Sequence, residues 1–250
     1  MDKLLKFLSL PKRLFTMKQN RKGIRGLYSS KSYKKDQVIL NFPLFETKNK
    51  ILNTNIKLKT FCINSQNFGN LSRNGQFATV LGLSGNKKNL PYWNMIKMTK
   101  ESLSWNIWFW ELDKLQKESK KNRFYKDYHN KLQNDYNLFG FIYEEYKSIH
   151  GNIIFNMTKK TFQDKCILFR IIITSRGFSS NGQGIALVPL LDLMNHETQD
   201  NYNVKWDFDN HAFRITAIKN IKKEEELFVS YGSKSDESFI MYYGFIPSRK

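Results

Sequence analysis

The spacing of apolar residues divides the chain into two β-rich ends and a helical middle. Residues 13–47 and the part after Arg176 carry short apolar runs that stop at glycine or proline, which is typical of strands and turns. Residues 101–175 contain almost no glycine or proline and repeat aromatic residues three and four apart, which predicts amphipathic helices. The polar, asparagine-rich stretch 48–75 shows little periodicity and is predicted to be a loop with one short helix.

Within this division, individual runs predict individual elements. Strands are predicted at Val38–Leu40 with Phe42, Ile185–Leu191, Phe213–Ile218 and Glu226–Tyr231, and a helix is predicted before the motif Tyr243-Gly244-Phe245. In the middle part, Thr158 or Thr161 can cap a helix whose apolar stripe is Phe162, Cys166, Phe169 and Ile173. A further stripe comprises Tyr125, Tyr128, Leu132 and Tyr136, and a short first helix is predicted at Leu4–Leu8, before Pro11. We therefore predict three parts: residues 1–100, a helical insert at 101–175, and residues 176–250.

The composition favours a folded intracellular protein. The 250 residues are 40% apolar, which is enough for a buried core and excludes a disordered tail or a collagen-like fibre. The two cysteines, Cys62 and Cys166, exclude a disulfide framework and a zinc site built on cysteine pairs. A reducing compartment, cytoplasmic or nuclear, is the expected location.

The charge is strongly positive, with a formal net charge of +19. Lysine outnumbers arginine 32 to 9 and asparagine occurs 25 times, a combination that an AT-rich genome produces without any polyanionic partner. The charge permits contact with nucleic acid, but such a partner is not expected. No membrane association is expected either, because no apolar run approaches the ~20 residues that span a bilayer. Lys6 interrupts the apolar patch at the N-terminus, which argues against a secretory signal but leaves a mitochondrial presequence open.

Two local motifs are too incomplete to define a site. The pair Gly182 and Gly184 lacks the third glycine and the acidic residue of a dinucleotide-binding loop. The pair His196-Glu197 would need a second histidine at position 200 to bind zinc, and that residue is Asp200. No metal site is therefore predicted. Asp192 and Asn195 are either turn residues or a polar corner that binds a ligand.

Several segments in a fixed order carry a family resemblance. They are Gly23–Ser29 with Lys35–Pro43, Ser175–Phe178, Leu190–His196, Glu225–Gly232 and Tyr242–Phe245. The helical insert lies between Lys35–Pro43 and Ser175–Phe178. With these segments and this insert, the chain resembles the SET-domain methyltransferases. More narrowly, it is similar to the class typified by the Rubisco large-subunit lysine methyltransferase and the actin-histidine methyltransferase. The resemblance covers roughly residues 4–246.

This resemblance implies a mixed β and α fold: small β-sheets with a C-terminal part threaded under a loop, interrupted by a helical insert. It implies transfer of a methyl group from S-adenosyl-L-methionine (SAM) to a protein substrate, with a lysine side chain as the expected acceptor. Two alternatives stay open: methylation of a protein histidine, and an inactive SET module that acts as a basic interaction protein. The class usually continues into a second helical, substrate-binding domain, which is expected to be absent or truncated here because the sequence ends at Lys250. Lys22 also stands where the class often carries an acidic residue.

The resemblance also assigns roles to individual residues. Tyr231 is the implied catalytic residue, since a phenol can orient the lone pair of an amine without competing as a nucleophile. Arg176 would pair with the carboxylate of the cofactor, for which a guanidinium fork is well suited, or stabilise a helix end. The other implied cofactor-binding residues are Ile24, Arg25 and Gly26 through the main chain, Asp192, Asn195 and His196 through polar groups, and Tyr243 and Phe245 through aromatic faces. Phe178 would line the channel for the acceptor or pack in the core.

Overall fold

The structure is a computed structural model that divides into two compact units. It describes residues 14–19, 24–43, 46–84, 99–151, 157–180, 184–198, 201–208 and 212–247, together with Lys6, Tyr92 and Ile96. The first unit, here the β-unit, comprises Met1–Glu46, Gly177–Lys234 and Pro247–Lys250, and the second, the helical unit, comprises Thr47–Arg176 and Ser235–Ile246. Of the predicted helix at Leu4–Leu8, Lys6 alone is among the described residues.

The strands of the β-unit are short. They are β1 (Phe15–Gln19), β2 (Arg25–Ser29), β3 (Val38–Pro43), β4 (Glu46–Thr47, at the chain boundary of the units), β5 (Phe178–Ser180), β6 (Gly184–Leu187), β7 (Asn195–His196), β8 (Val204–Phe208), β9 (Ala212–Ala217) and β10 (Phe228–Val229). Antiparallel pairs join β1 to β2, β5 to β6, and β9 to both β3 and β8, whereas β7 and β10 pair in parallel. Small separate sheets of this kind confirm the mixed, β-rich fold that the sequence predicted.

An aromatic cluster fills the core around β9. Phe213 is fully buried and faces Phe178 edge-on, with ring centroids 4.7 Å apart. Trp206 stacks on Phe213 at 5.8 Å and meets the edge of Phe178 at 5.2 Å. Each such ring pair adds about 0.5–1.5 kcal/mol beyond the burial of apolar area. The cluster therefore fixes β5 against the sheet formed by β3, β9 and β8.

The helical unit contains the longest elements of the chain. They are α1 (Lys48–Thr54), α2 (Ile56–Asn64), α3 (Gln66–Gly69), α4 (Arg73–Leu83), α5 (Leu112–Lys121), α6 (Arg123–His150), α7 (Lys159–Arg176) and α8 (Asp236–Tyr243), with 3₁₀ turns at Glu101–Leu103 and Ile107–Phe109. The predicted stripe of α7 is confirmed, because Phe162, Cys166, Phe169 and Ile173 are all buried. Of the two predicted caps, Thr158 fills the role: its Oγ1 accepts a hydrogen bond from the Thr161 amide at 3.2 Å. Among the described residues, no helix is long and apolar enough to cross a bilayer.

A buried ion pair joins three helices of this unit. The Nε of Arg170 on α7 donates to Oδ2 of Asp135 on α6 over 2.9 Å, and only 8% and 3% of these side chains are exposed. The Asp135 carboxylate also accepts from the amide and the hydroxyl of Ser72, at 3.1 and 2.6 Å. Ser72 is the N-cap of α4, where its Oγ accepts from the Gly75 amide at 3.1 Å. The desolvated carboxylate is thus compensated by three donors.

Four sequence predictions were wrong in detail. The stretch 48–75 is mostly helical rather than a loop with one short helix. Residues 101–111 form two 3₁₀ turns instead of a continuous amphipathic helix, and the predicted strand Glu226–Tyr231 is reduced to the two residues of β10. The run Ile185–Leu191 is a strand only as far as Leu187 and then turns into a 3₁₀ segment, Leu191–Leu193.

Candidate active site

The parallel pairing of β7 and β10 brings together two of the motifs that carry the resemblance. Asn195 lies opposite Phe228, and His196 lies opposite Val229. The chain beyond β10 therefore passes beside His196, whose Nδ1 accepts a hydrogen bond from the Tyr231 amide at 3.1 Å. The two rings are stacked, with centroids 5.1 Å apart and an interplanar angle of 28°. Tyr231 is thus held by both its main chain and its ring.

The Tyr231 hydroxyl is fixed by Met194, the residue that directly precedes β7. It donates to the carbonyl oxygen of Met194 over 2.8 Å, and Met194 is 1% exposed. A phenol has one proton to donate, so the oxygen can only accept from any further group. Gly232 follows at φ +88°, a left-handed conformation that glycine adopts without steric cost and that turns the chain directly after the tyrosine. The Lys234 ammonium donates back to the Tyr231 carbonyl.

His196 is suited to this role only as a neutral imidazole. Burial lowers its pKa, and the positive charge of Lys234 acts in the same direction, while a main-chain hydrogen bond with Val229 and the charge of Glu197 oppose the shift. A neutral ring keeps Nδ1 as an acceptor for the Tyr231 amide. Protonation at that nitrogen would replace the acceptor by a donor facing another donor.

A second polar cluster joins Asn195 to β2. Asn195 Nδ2 donates to the Arg25 carbonyl at 2.9 Å and to Oε1 of Glu226 at 2.7 Å. The other carboxylate oxygen, Oε2, accepts from the hydroxyl of Tyr28 at 2.8 Å. A Cβ on Gly26 would lie only 2.0 Å from Oε1 and 3.0 Å from the Asn195 nitrogen. The absence of a side chain at Gly26 is therefore what lets the carboxylate reach Asn195.

Main-chain and amide hydrogen bonds hold the segment that carries Glu226. The Leu227 amide donates to the Leu27 carbonyl over 2.7 Å. The side chain of Asn203, which is 4% exposed, donates to the Glu226 carbonyl at 2.8 Å and accepts from the Phe228 amide at 2.9 Å. These contacts fix the main chain at Glu226, Leu227 and Phe228, and therefore the start of β10.

The remaining predicted residues of the β-unit lie beside β2, in the 3₁₀ turn before β7, and in β5. Ile24 immediately precedes β2 and is 51% exposed, and Asp192 lies in the 3₁₀ turn that leads to Met194. Phe178 is buried in the aromatic cluster with Trp206 and Phe213, which corresponds to the packing alternative for that residue. A role of Phe178 in the acceptor channel stays a prediction.

The other predicted residues belong to the helical unit. Arg176 is the last residue of α7, where its positive charge is favourable against the helix dipole. Tyr243 is the last residue of α8, and burial raises its pKa to about 12. Phe245 follows the helix, is 40% exposed and lies 6.3 Å from the Tyr243 ring. Their cofactor contacts stay predictions from the resemblance.

Sequence reasoning missed three residues of the site: Tyr28, Met194 and Glu226. All three stand inside the motifs that carry the resemblance, but none was given a role. Met194 contributes only a carbonyl, which no residue-type pattern can reveal. Glu226 was detectable in principle, as a carboxylate directly before an apolar strand. Among the described residues, no cluster of His, Cys, Asp and Glu could hold a metal ion.

Comparison with known proteins is consistent with this arrangement. The chain is 30% identical over 105 residues to SET domain-containing protein 8 of Schizosaccharomyces pombe, covering 42% of this chain and 24% of that protein. It is 31% identical over 61 residues to human SET domain-containing protein 4, covering 24% of this chain and 14% of that protein. A third relative, ribosomal lysine N-methyltransferase set10 of S. pombe, is 30% identical over 110 residues, covering 41% of this chain and 19% of that protein. The matched stretches thus span a quarter or less of each relative's length.

Solved structures support the fold over nearly the whole chain. Rubisco LSMT bound to sinefungin and monomethyllysine superposes with a TM-score of 0.72 at 18% identity, covering 98% of this chain and 56% of that one. Rubisco LSMT bound to AdoMet gives a TM-score of 0.65 over the same shares. The model of the family described as SET domain matches residues 24–232, from the residue before β2 to the glycine after Tyr231. Since that match contains β2, β7, β10 and Tyr231, the chain belongs to the SET-domain family.

Proposed function

We propose that this chain is a SAM-dependent protein methyltransferase whose acceptor is a lysine side chain. Membership of the SET-domain family supports methyl transfer. Support for lysine comes from the relative set10, named as a ribosomal lysine N-methyltransferase, and from a similar structure described as bound to monomethyllysine.

The geometry of Tyr231 carries the proposal. Its hydroxyl gives its proton to the Met194 carbonyl, so its oxygen is an acceptor toward any incoming group. An oxygen that accepts an N–H from a neutral amine aims the nitrogen lone pair away from itself. Stacking on His196 and the amide hydrogen bond to Nδ1 restrict the ring to one orientation. The residue can therefore align an amine for in-line displacement, and alignment is the main requirement of such a reaction.

The cluster around Asn195 fits the cofactor. SAM, when bound, supplies an electrophilic methyl group that passes to the amine while the electron pair of the C–S bond stays on sulfur. The missing side chain at Gly26 makes room for the Glu226 carboxylate, which together with the Arg25 carbonyl holds the Asn195 amide in one place. His196, whose pKa is lowered by burial, adds no positive charge beside the amine that must stay neutral. Arg176, Tyr243 and Phe245 stay predicted cofactor residues.

Incubation with isotopically labelled SAM and a cell extract, followed by identification of the labelled residue, tests the proposal. We expect label on lysine, and Tyr231→Phe should lower single-turnover transfer by about 10²-fold or more. Binding of SAM should change little, because the ring and its stacking remain. Tyr202→Phe, at a half-buried tyrosine of the same unit, is the matched control and should transfer at the parental rate.

The possible results separate the alternatives. Label on histidine would replace lysine as the acceptor while leaving methyl transfer intact. SAM binding without any transfer would favour an inactive SET module. A folded Tyr231→Phe variant with the parental rate would remove Tyr231 from the reaction.

We also propose that the protein works in a reducing compartment, cytoplasmic or nuclear. Cys62 and Cys166 are both buried free thiols, and burial raises the pKa of Cys62 to about 12 and raises that of Cys166 as well. Such thiols stay protonated and react slowly with oxidants. Fractionation of cells that express the tagged chain tests this, and recovery from the secretory pathway would contradict it.

A further inference from the structure

The side-chain amide of Asn195 has an orientation that its surroundings dictate. One end lies 2.7 Å from a carboxylate oxygen of Glu226 and 2.9 Å from the Arg25 carbonyl oxygen. An ionised carboxylate and a peptide carbonyl have no proton to donate, so both oxygens act only as acceptors. The Asn195 side-chain atom that lies between them must therefore be the NH₂ nitrogen, Nδ2. Both protons of that group are then used, and the amide oxygen Oδ1 points away from Glu226. No described residue donates a hydrogen bond to Oδ1 in this structure.

We propose that Glu226 is a positioning residue that makes Asn195 an acceptor for the α-ammonium group of the cofactor. The inference rests on the proposed function and assigns to Glu226 a role within the same site. Without an acceptor at position 226, the Asn195 amide would keep a single hydrogen bond, the one to the Arg25 carbonyl, and could rotate by 180°. The rotated amide would present its NH₂ group to a ligand cation, which repels it.

The environment of Glu226 supports this role. Its carboxylate is half-buried, and its hydrogen-bond partners among the described residues are neutral: Asn195 Nδ2 and the Tyr28 hydroxyl. The charge and hydrogen bonding of Glu226 raise the pKa of Tyr28 in addition to the larger effect of burial, so Tyr28 stays a donor at neutral pH. A carboxylate with only neutral partners leaves a net negative potential, and that potential favours a cationic group at Oδ1.

Two variants of equal length separate hydrogen bonding from other effects. Glu226→Gln keeps an acceptor for Asn195 through its amide oxygen, while its NH₂ group can donate to the Tyr28 oxygen. Glu226→Met keeps the unbranched chain but offers no acceptor of comparable strength. Tyr202→Phe, at a half-buried tyrosine of the same unit outside the site, serves as the control.

The readout is the dissociation constant of two probes, measured by calorimetry on the full chain. S-adenosylhomocysteine carries the α-ammonium group, whereas 5′-methylthioadenosine has the same nucleoside and thioether without the amino-acid part. Glu226→Met should weaken the first probe about tenfold or more, as expected for a lost hydrogen bond to a charged group, and leave the second within about twofold. Glu226→Gln should restore the first probe to within about threefold of the parent, and Tyr202→Phe should match the parent.

The outcomes distinguish this inference from the proposed function. If the folded parent binds neither probe, the cofactor assignment fails and this inference fails with it. If the parent binds but Glu226→Met weakens both probes equally, or neither, the positioning role is overturned alone. Equal losses in the Gln and Met variants would show that charge, not amide orientation, matters. If Glu226→Met does not fold, Asn195→Ala must give the same selective loss of the first probe, and parental affinity in that variant would also overturn the inference.

Discussion

Adding a single methyl group at Gly26 should disrupt the candidate site without straining the main chain. Its φ lies outside the left-handed region, so the backbone of β2 tolerates an alanine. The new Cβ would lie 2.0 Å from Oε1 and 2.6 Å from Cδ of Glu226, where real Cβ contacts stay above 3.0 Å. The carboxylate would have to move by about 1 Å or more, and its hydrogen bonds with Asn195 and Tyr28 would break, since they are 2.7 and 2.8 Å long.

The size of the effect follows from those two hydrogen bonds. Each contributes about 1 kcal/mol net in a half-buried setting, so their loss costs about 2 kcal/mol. Replacing glycine by alanine recovers about 0.4–1 kcal/mol through the unfolded chain. The free energy of unfolding should therefore fall by about 1–2 kcal/mol, which corresponds to roughly 3–6 °C in Tm for a chain of this size. Affinity for SAM should fall as well, because Asn195 loses its anchor.

Thermal and urea unfolding of Gly26→Ala, with calorimetric titration of SAM, provide the assay. Gly69→Ala is the matched control, since a Cβ at Gly69 would meet nothing within 4 Å, and it should be neutral or slightly stabilising. The double variant Gly26→Ala/Glu226→Ala should be little less stable than Glu226→Ala alone. In the double variant the carboxylate that the new Cβ would meet at 2.0 Å is absent. Additive losses in the double variant would refute the reasoning, and so would a Gly26→Ala variant with parental stability and affinity.

Three further predictions concern other parts of the molecule. Arg176→Ala should weaken SAM binding by about 2–4 kcal/mol against the parent. Arg176→Lys should weaken it less, because lysine keeps the charge but not the guanidinium fork. Calorimetry that finds both variants at parental affinity would leave Arg176 as a helix-end cation. The lowered pKa of His196 means that below about pH 6.5 the unfolded chain binds its proton more readily than the folded one, so stability should fall as pH drops from there toward the lowered pKa. Urea unfolding across that range should show a smaller fall in His196→Asn, and an identical fall would contradict the assignment. Asp135→Ala should lower the free energy of unfolding by about 3–5 kcal/mol by leaving the buried Arg170 charge uncompensated, whereas a change below about 1 kcal/mol would show that water reaches the pair.

The strand pattern and the long helices could be predicted because their hydrophobic periods are clear. Phe213, Ile215 and Ala217 alternate along β9 and are all buried. Most of the helical structure between residues 48 and 75 was missed for a physical reason: the asparagine and serine residues that suggested a loop are helix caps. Asn55 Oδ1 accepts from the Leu58 amide, and Ser65 and Ser72 cap the next two helices in the same way.

The candidate site shows a different limit of sequence reasoning. The resemblance singled out Asn195, His196 and Tyr231, and the structure brings all three together at one parallel pair of strands. The role of Glu226 depends on a register between segments 31 residues apart and on a contact with Tyr28, 198 residues away in sequence. No local pattern encodes a pairing of that kind, since it exists only after β2, β7 and β10 have assembled.

The short pairing at the site has a consequence for how its geometry is maintained. Two residues per strand, as in β7 and β10, are too few to fix a register by main-chain hydrogen bonds alone. Here the register is set by side chains that bond to the main chain: Asn203 on Phe228 and Glu226, His196 on Tyr231, and Asn195 on Arg25. Each of these three side chains makes at least one hydrogen bond that a one-residue slip would break. The same polar groups that present the Tyr231 hydroxyl and the Asn195 amide to a ligand therefore also hold the strands in place, and we expect stability and cofactor affinity to change together at these positions.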